Sequence, residues 1–491
     1  MYDVAVIGSG FGGSVAALRA AQAGKSVVVL EQGRRLTPED LQAGSESALA
    51  LLWEPALGLH GYFRQALLRH LTVVGGIGVG GGSLVYAAVL LRPENFDALG
   101  WTAAGVDWAE ELDPHFDVAG QMLGRERNPQ RGLQDEWLQA AAERLGVGDT
   151  YGPTYQGIHF ADCIACGQCI TGCPYGAKQS TDITYLAQAE SLGAQIRPLS
   201  KAEILVPHAD GWRVVLRNPK TKQVSSVEAR EVVLAAGVLG TVELLSACRD
   251  RWGTLPGLSP MVGRRVRTNS EAFSAILHPA GTDVTEGATI SSDFYPDSRT
   301  HVTNNRFPKS YGFMRWYLSP LVSGQRRRET VRAMLRHPGL ATANARARDW
   351  HKRVTILTVM QHADNEMALE YRKGPAGWGL RSTIPDGVDP VPVWLPQADA
   401  AGRAVAEVSD SQAYSTVLES LLGMGATAHI LGGAVLGADP AEAVVDADHR
   451  VFGYDGLRIM DGSVVPENIG VNPSWTITAL AERACAQWLG A

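Results

Sequence analysis

The first 33 residues constrain this chain more than any other stretch. Residues 3–33 read DVAVIGSGFGGSVAALRAAQAGKSVVVLEQG. Residues 4–7 form an apolar run fit for a buried strand. Gly8, Gly10 and Gly13 then complete G-x-G-x-x-G, with Phe11 and Gly12 inside it. An alanine-rich helical run follows and stops at Gly24, a natural C-terminal cap. A second apolar run, VVVL, ends at Glu31. Each part has a physical task. The glycines allow a tight turn, backbone approach to a pyrophosphate, and close packing of helix on strand. The helix start offers free N–H groups to the phosphates. Glu31 can accept hydrogen bonds from ribose hydroxyls. A dinucleotide site in an α/β sheet is the expectation. The acid points to an unphosphorylated ribose, hence FAD or NAD.

The chain has 491 residues, long enough for two or three domains. Its formal charge of −7 argues against nucleic acid as a partner. No apolar run approaches the ~18 residues of a transmembrane helix, and Met1 leads straight into a strand, not a secretion signal. Six cysteines in such a length do not make a disulfide scaffold. A cytoplasmic, reducing setting is therefore expected.

Three further blocks narrow the cofactor. They are GGIGVGGGSLVYAAVLLRPENFD from Gly75, VVLAAGVLGTVELL at 232–245, and GYDGLRIMDGSVVPENIGVNPSWTITALAERA at 453–484. With the N-terminus, they resemble the glucose–methanol–choline (GMC) flavoprotein oxidoreductases, and most of all the cholesterol-oxidase-like branch. The resemblance implies an α/β fold: a Rossmann-like FAD-binding domain and a second α+β substrate domain built on an antiparallel sheet. It implies FAD contacts from the N-terminal glycines, Phe11 and Glu31, and from Gly80, Gly81, Gly82, Ser83, Ala236, Asp461, Gly462 and Pro473. Some family members bind FAD covalently through a histidine in the block that reads GGGSLVY here. None is present, so non-covalent FAD is expected. Residues 474–489 read as an amphipathic helix whose dipole would favour an anionic reduced flavin.

In this family a histidine takes the alcohol's hydroxyl proton, and a second histidine or an asparagine holds its oxygen. HILGG at 429–433 and VNP at 471–473 carry these roles onto His429 and Asn472. The chemistry needs such a pair. Hydride leaves carbon as the O–H proton is lost, and an imidazole titrating near 6.5 takes it at neutral pH. Cholesterol oxidases also use an active-site glutamate. Glu366 and Glu370 are the candidates within reach of a pattern, on strand-like residues of the second domain. An apolar alcohol is the expected substrate.

CIACGQCITGCP, at 163–174, spaces Cys163, Cys166, Cys169 and Cys173 as C-x2-C-x2-C-x3-C-P. Bacterial ferredoxins use that run for iron–sulfur clusters. A [4Fe–4S] cluster is the expected occupant; zinc, disulfides and free thiols are the other readings. With one run only, either Cys173 closes the cluster or Cys248 or Cys485 does. A cluster would pass electrons singly to a ferredoxin-like or other acceptor. Without one, reduced flavin would meet oxygen, as in an alcohol or sterol oxidase with structural cysteines. A flavin-binding electron-transfer subunit without its own substrate is the reading from another class.

The nucleotide-binding pieces place one discontinuous domain at 1–270 and 425–491, including the cysteine loop at 160–180. The substrate domain falls at 271–424, with AFSAILH, RVTILTVM and EMALEY as strands. Residues 36–70 read as a lid. The basic stretch 324–353, from Arg326 through Arg353, reads as a solvated helical pair, with an acidic partner as the alternative.

Overall fold

The computed structural model describes residues 1–94, 96, 99–324, 327–375 and 377–490. At its centre the strand Tyr2–Ile7 is flanked by parallel neighbours Val27–Leu30 and Val224–Leu234. Val4, Val27, Val28, Val29 and Leu30 are almost wholly buried, as expected of strands covered on both faces. Gln195–Arg197 extends the sheet beside Val27–Leu30. Val224–Leu234 serves three partners. Its second half pairs with Tyr2–Ile7 and Leu457–Ile459, its first half with the antiparallel hairpin strand Gly211–Arg217. The helix Phe11–Gln22 packs against the C-terminal helix Ser474–Leu489. The two ends of the chain thus build one nucleotide-binding layer.

A second seven-stranded sheet is wholly antiparallel. Ala272–Leu277 and Val354–Gln361 pair at its middle, as their alternating apolar runs predict. The helix Pro396–Val408 covers one face. Two pieces of sequence land elsewhere than expected. Helix Leu133–Arg144 and strand Gly152–Pro153, numbered with the first domain, pack on this second sheet. Ala368–Gly374, read as one of its strands, instead makes a separate hairpin with Gly377–Thr383. That hairpin leans on the first layer, where Leu369 N–H donates to Gly263 O and Met367 pairs with Val266. Residues 36–70 form two short helices, one 3-10 turn, a small strand pair, and a third strand, Phe63–Leu67, that pairs with Leu71–Gly76. They pack Leu51, Tyr62 and Phe63 with Tyr311 and Phe307 into one core. In the basic stretch, helices Arg327–Arg336 and Pro338–Arg346 form as read; Arg326 lies outside the described residues. No helix among the described residues is long and apolar enough to cross a membrane.

A small third sheet joins the two layers. Leu71–Gly76 pairs in parallel with Gly425–Thr427, and antiparallel with Phe63–Leu67. Both parallel strands run out in the same direction, one into the glycine-rich loop at 78–83, the other into His429. A π-helical turn, Leu418–Leu422, feeds the second strand. It buries Glu419, whose Oε1 accepts the Phe273 N–H at 3.0 Å. Burial pushes this carboxyl up to about 8. The folded acid thus keeps its proton from the ordinary carboxylate range up to about 8, while the unfolded chain has released it. Stability therefore falls as pH rises through that window. Glu419→Gln should match the parent in urea unfolding at pH 4.5. It should be more stable at pH 8, on the order of 3 kcal/mol. Equal pH dependence of the two proteins would refute this.

Candidate active site

Two glycine loops cross beside the start of the first helix. A Cβ added at Gly81 would sit 2.7 Å from Gly10 Cα, so the backbones nearly touch. Ser9 ties the loops: its Oγ donates to Glu31 Oε2 at 2.7 Å and accepts from Gly80 N–H at 3.1 Å. Ser83 Oγ closes the second loop onto Gly80 O at 2.6 Å. Glu31 is buried, and that burial raises its pKa; it also accepts from Gly33 N–H at 2.8 Å. Gly12 is bare because of protein: its Cβ would fall 1.6 Å from Met460 O. Gly10 and Gly82 are bare for another reason. A Cβ there would meet no protein atom nearer than 3.9 Å. They leave a groove along which a bulky ligand can lie.

Asp461, expected to meet the cofactor, also holds the protein together. Its Oδ2 accepts from Thr241 Oγ1 (2.6 Å) and Gly237 N–H (3.0 Å), and its Oδ1 from Ser463 N–H (2.8 Å). It thereby pins the helix that follows Ala236 to the strand end Leu457–Ile459. Gly462 carries the link onward. Its carbonyl accepts from Gly432 N–H at 3.0 Å, and a Cβ on it would meet Ile477 of the C-terminal helix at 3.2 Å. The buried Ser463 Oγ has no partner among the described residues.

The loop HILGG is clamped on both sides. Leu431 exchanges both backbone hydrogen bonds with Arg267, and Ala434 N–H donates to Ser463 O. Within it His429 meets Asn472, the residue just before Pro473 and the C-terminal helix. Asn472 Nδ2 stands 3.2 Å from His429 Nε2. An amide N–H donates there, so Nε2 is the unprotonated nitrogen and Nδ1 carries the proton. Nδ1 faces Glu271 Oε1 at 2.6 Å. The contact is close but bent away from hydrogen-bond alignment, so we read it as charge against ring N–H. Glu271 is buried, with its side chain 1% exposed, and also accepts from Ala428 N–H at 3.2 Å. Asn472 Oδ1 is left without a partner. Its neighbour is held by Asn269, whose Nδ2 donates to Val471 O at 2.6 Å.

Glu271 is the acid that pattern reading missed. It follows TNS at the head of the second sheet, where no spacing marks it. Glu366 and Glu370, the candidates, are engaged with arginines: Glu366 with Arg267 at 3.8 Å, and Glu370 with Arg372 at 2.8 Å.

Cys163, Cys166, Cys169 and Cys173 are unbonded thiols lining one cavity, so no disulfide forms. Cys248 and Cys485 are buried in the core of the first layer and do not line it. Among the described residues no three His, Cys, Asp or Glu side chains stand close enough to share a single metal ion.

Comparison with known proteins agrees with this geometry. Two models of the GMC oxidoreductase family match, over residues 6–264 and 322–481. A cholesterol oxidase of Mycobacterium tuberculosis is 37% identical, covering 99% of this chain and 91% of that one. A cholesterol oxidase of Acinetobacter baumannii is 34% identical, over 98% and 93%. A long-chain-alcohol oxidase of Arabidopsis thaliana is 26% identical, over 98% of this chain and 66% of that one. Among solved structures, pyridoxine 4-oxidase from Mesorbium loti superposes with a TM-score of 0.66 at 17% identity, covering 100% and 99% of the two chains. It shares the fold. The absence of any close protein atom at Gly10 and Gly82 and the unpartnered buried Ser463 Oγ fit the FAD that the family carries.

The two glycines separate fold from cofactor. Gly10→Ala should leave the unfolding midpoint of the apoprotein unchanged and lower FAD affinity by about tenfold, or ~1.4 kcal/mol. Gly12→Ala should cost the fold itself ~3 kcal/mol or more, through the clash with Met460 O. Urea unfolding and flavin titration of the two variants check this.

Proposed function

This chain belongs to the GMC oxidoreductase family, as an FAD-dependent enzyme acting on CH–OH donors, and on that premise we propose that its substrate is an apolar alcohol, a sterol or a long-chain alcohol. The observation that carries the reading is the pair His429 Nε2 and Asn472 Nδ2, 3.2 Å apart, with Glu271 behind the imidazole. A hydroxyl oxygen seated between the two nitrogens would donate to Nε2 and accept from the amide. The substrate class is supported by the relatives, named cholesterol and long-chain-alcohol oxidases.

The chain's own groups divide the work. His429 Nε2 takes the hydroxyl proton as hydride leaves the carbinol carbon. Asn472 fixes the oxygen without adding charge. Glu271 then faces an imidazolium and stabilises it, as a buried carboxylate does behind a catalytic histidine. Bound FAD supplies the two-electron acceptor for the hydride. The helix Ser474–Leu489 begins directly after the pair, and its positive end favours negative charge there. The oxidase names of the relatives favour dioxygen as the final acceptor. The alcohol's two electrons and two protons then leave as hydrogen peroxide.

His429→Asn should lower the rate of anaerobic flavin bleaching by sterols or long-chain alcohols at least ~10²-fold, with FAD still bound. Glu271→Gln should lower kcat by about 10²-fold with KM little changed, since it acts as charge builds on the ring. Rapid bleaching by sugars or polyols, with none by apolar alcohols, would overturn the substrate class. Undiminished bleaching in His429→Asn would overturn the assigned base.

A further inference from the structure

We infer that Cys163, Cys166, Cys169 and Cys173 hold an iron–sulfur cluster in the cavity they line beside the flavin loop. The family match speaks for flavin and alcohol and is silent on these cysteines, so the inference rests on the chain's own residues.

The first support is shape. The four thiols, with Ile158, Ala177 and Gly287, line one pocket. No three of these side chains stand close enough to share a single ion. A cluster carries its own bridging atoms, so it can take four thiolates that one ion cannot. The backbone agrees. Ala165 (φ 58°), Gly167 (φ 68°) and Gly172 (φ 86°) take positive φ, which bends the loop back on itself around the pocket. The conformation is held from outside: Ala165 O accepts from Gly287 N–H, and Gly167 O from Thr289 Oγ1.

The second support is charge. Lys178 lines the same cavity and is buried. Its ammonium donates to four carbonyls: Cys169 O (2.8 Å), Leu84 O (2.8 Å), Ser83 O (3.0 Å) and Tyr86 O (3.3 Å). Among the described residues no carboxylate forms an ion pair with it; Asp182 acts only at longer range. A buried cation without a counter-ion is costly. Four thiolates around a cluster would supply the missing negative charge. The position has a use as well. Ser83 and Leu84 belong to the loop that cradles the cofactor, so one ammonium joins the cysteine loop to the flavin loop.

For its electron donor only, this inference rests on the flavin reading above. Each alcohol oxidised to a carbonyl yields two electrons and two protons. Where a one-electron acceptor is present, the electrons would leave one at a time through the cluster in competition with transfer to dioxygen, reducing two molecules of that acceptor, and the protons would pass to solvent.

The full-length protein, purified without oxygen, tests the site without any turnover. About four irons and four acid-labile sulfides per chain are expected, with absorption beyond that of flavin and a paramagnetic signal on dithionite reduction. Cys166→Ala should lose at least about half of the iron and sulfide while retaining FAD. Should that variant fail to fold, alkylation of the parent decides. The four thiols should resist iodoacetamide as purified and react after the iron is chelated. Fewer than ~0.5 iron per chain after anaerobic reconstitution with ferrous iron and sulfide, one zinc in place of iron, or four freely alkylated thiols would each overturn the inference. Iron and sulfide in a protein whose flavin no alcohol bleaches would leave the cluster standing and remove the substrate reading. Bleaching without iron would do the reverse.

Discussion

Six residues of parallel pairing set the geometry on which everything else depends. Gly425, Ala426 and Thr427 pair with Leu71, Thr72 and Val73. Parallel strands leave the sheet at the same end, so the loop that cradles the cofactor and the loop that carries His429 emerge side by side. A one-residue slip would turn every side chain on Gly425–Thr427 to the other face. The imidazole would then be presented differently to Asn472. Register is secured from three directions. Arg267 takes Leu431 in a two-way backbone exchange, Gly462 holds Gly432, and Glu271 accepts from Ala428 N–H. His429 sits on a loop, but a loop with almost no freedom.

Buried charges in this molecule follow a common rule. Each is either locked to protein donors or faces a group that changes charge. Asp461 and the Asp135–Arg306 pair are of the first kind. Asp461 receives three donors and serves as a rivet. Asp135 takes Arg306 at 2.8 Å together with Asn304 and the hydroxyl groups of Ser291 and Ser292. Glu271 is of the second kind. It has one backbone donor and the His429 ring, and its Oε2 is unpartnered. A carboxylate so sparsely supported gains most when the ring opposite becomes cationic. Structural need alone would have been met by a fuller hydrogen-bond set.

Much of this was legible in the sequence, and the gaps have physical causes. The G-x-G-x-x-G unit, the buried strand at 27–30 and the closing helix were readable because local spacing dictates them. His429 and Asn472, 43 positions apart, were readable only through resemblance, and the structure brings them to 3.2 Å. Glu271 was not readable. It sits in TNSEAF, where no periodicity distinguishes a catalytic neighbour from a strand's first turn. Its role comes from the fold, which lays the head of the second sheet against the strand Gly425–Thr427. The hairpin Ala368–Gly374 was misplaced for a related reason. An alternating strand pattern states that one face is buried, but not against which layer. The three intraprotein donors of Asp461 were not readable either, because Thr241, Gly237 and Ser463 meet it only in the fold.

On the inference drawn above, the cysteine loop would give a family fold a second site without disturbing the first. The loop leaves the cofactor layer after Gly157 and returns at Thr181, whose N–H donates to Ser83 Oγ at 2.9 Å. Between those points it is wedged by residues of the 36–70 segment. Leu41 fills the space against Gly172, and Tyr62 donates to Thr171 O at 2.6 Å. The second sheet props its other side through Gly287 and Thr289. Nothing in hydride transfer from an alcohol asks for that construction. A loop kept only for packing would be expected to spend apolar side chains, not four thiols and a lysine. The lysine ties the cavity to Ser83 and Leu84 by hydrogen bonds, so a change of charge in one loop is felt electrostatically in the other. That coupling is what an electron exit beside a flavin requires, and it is built from backbone carbonyls that no substitution of a single side chain would supply.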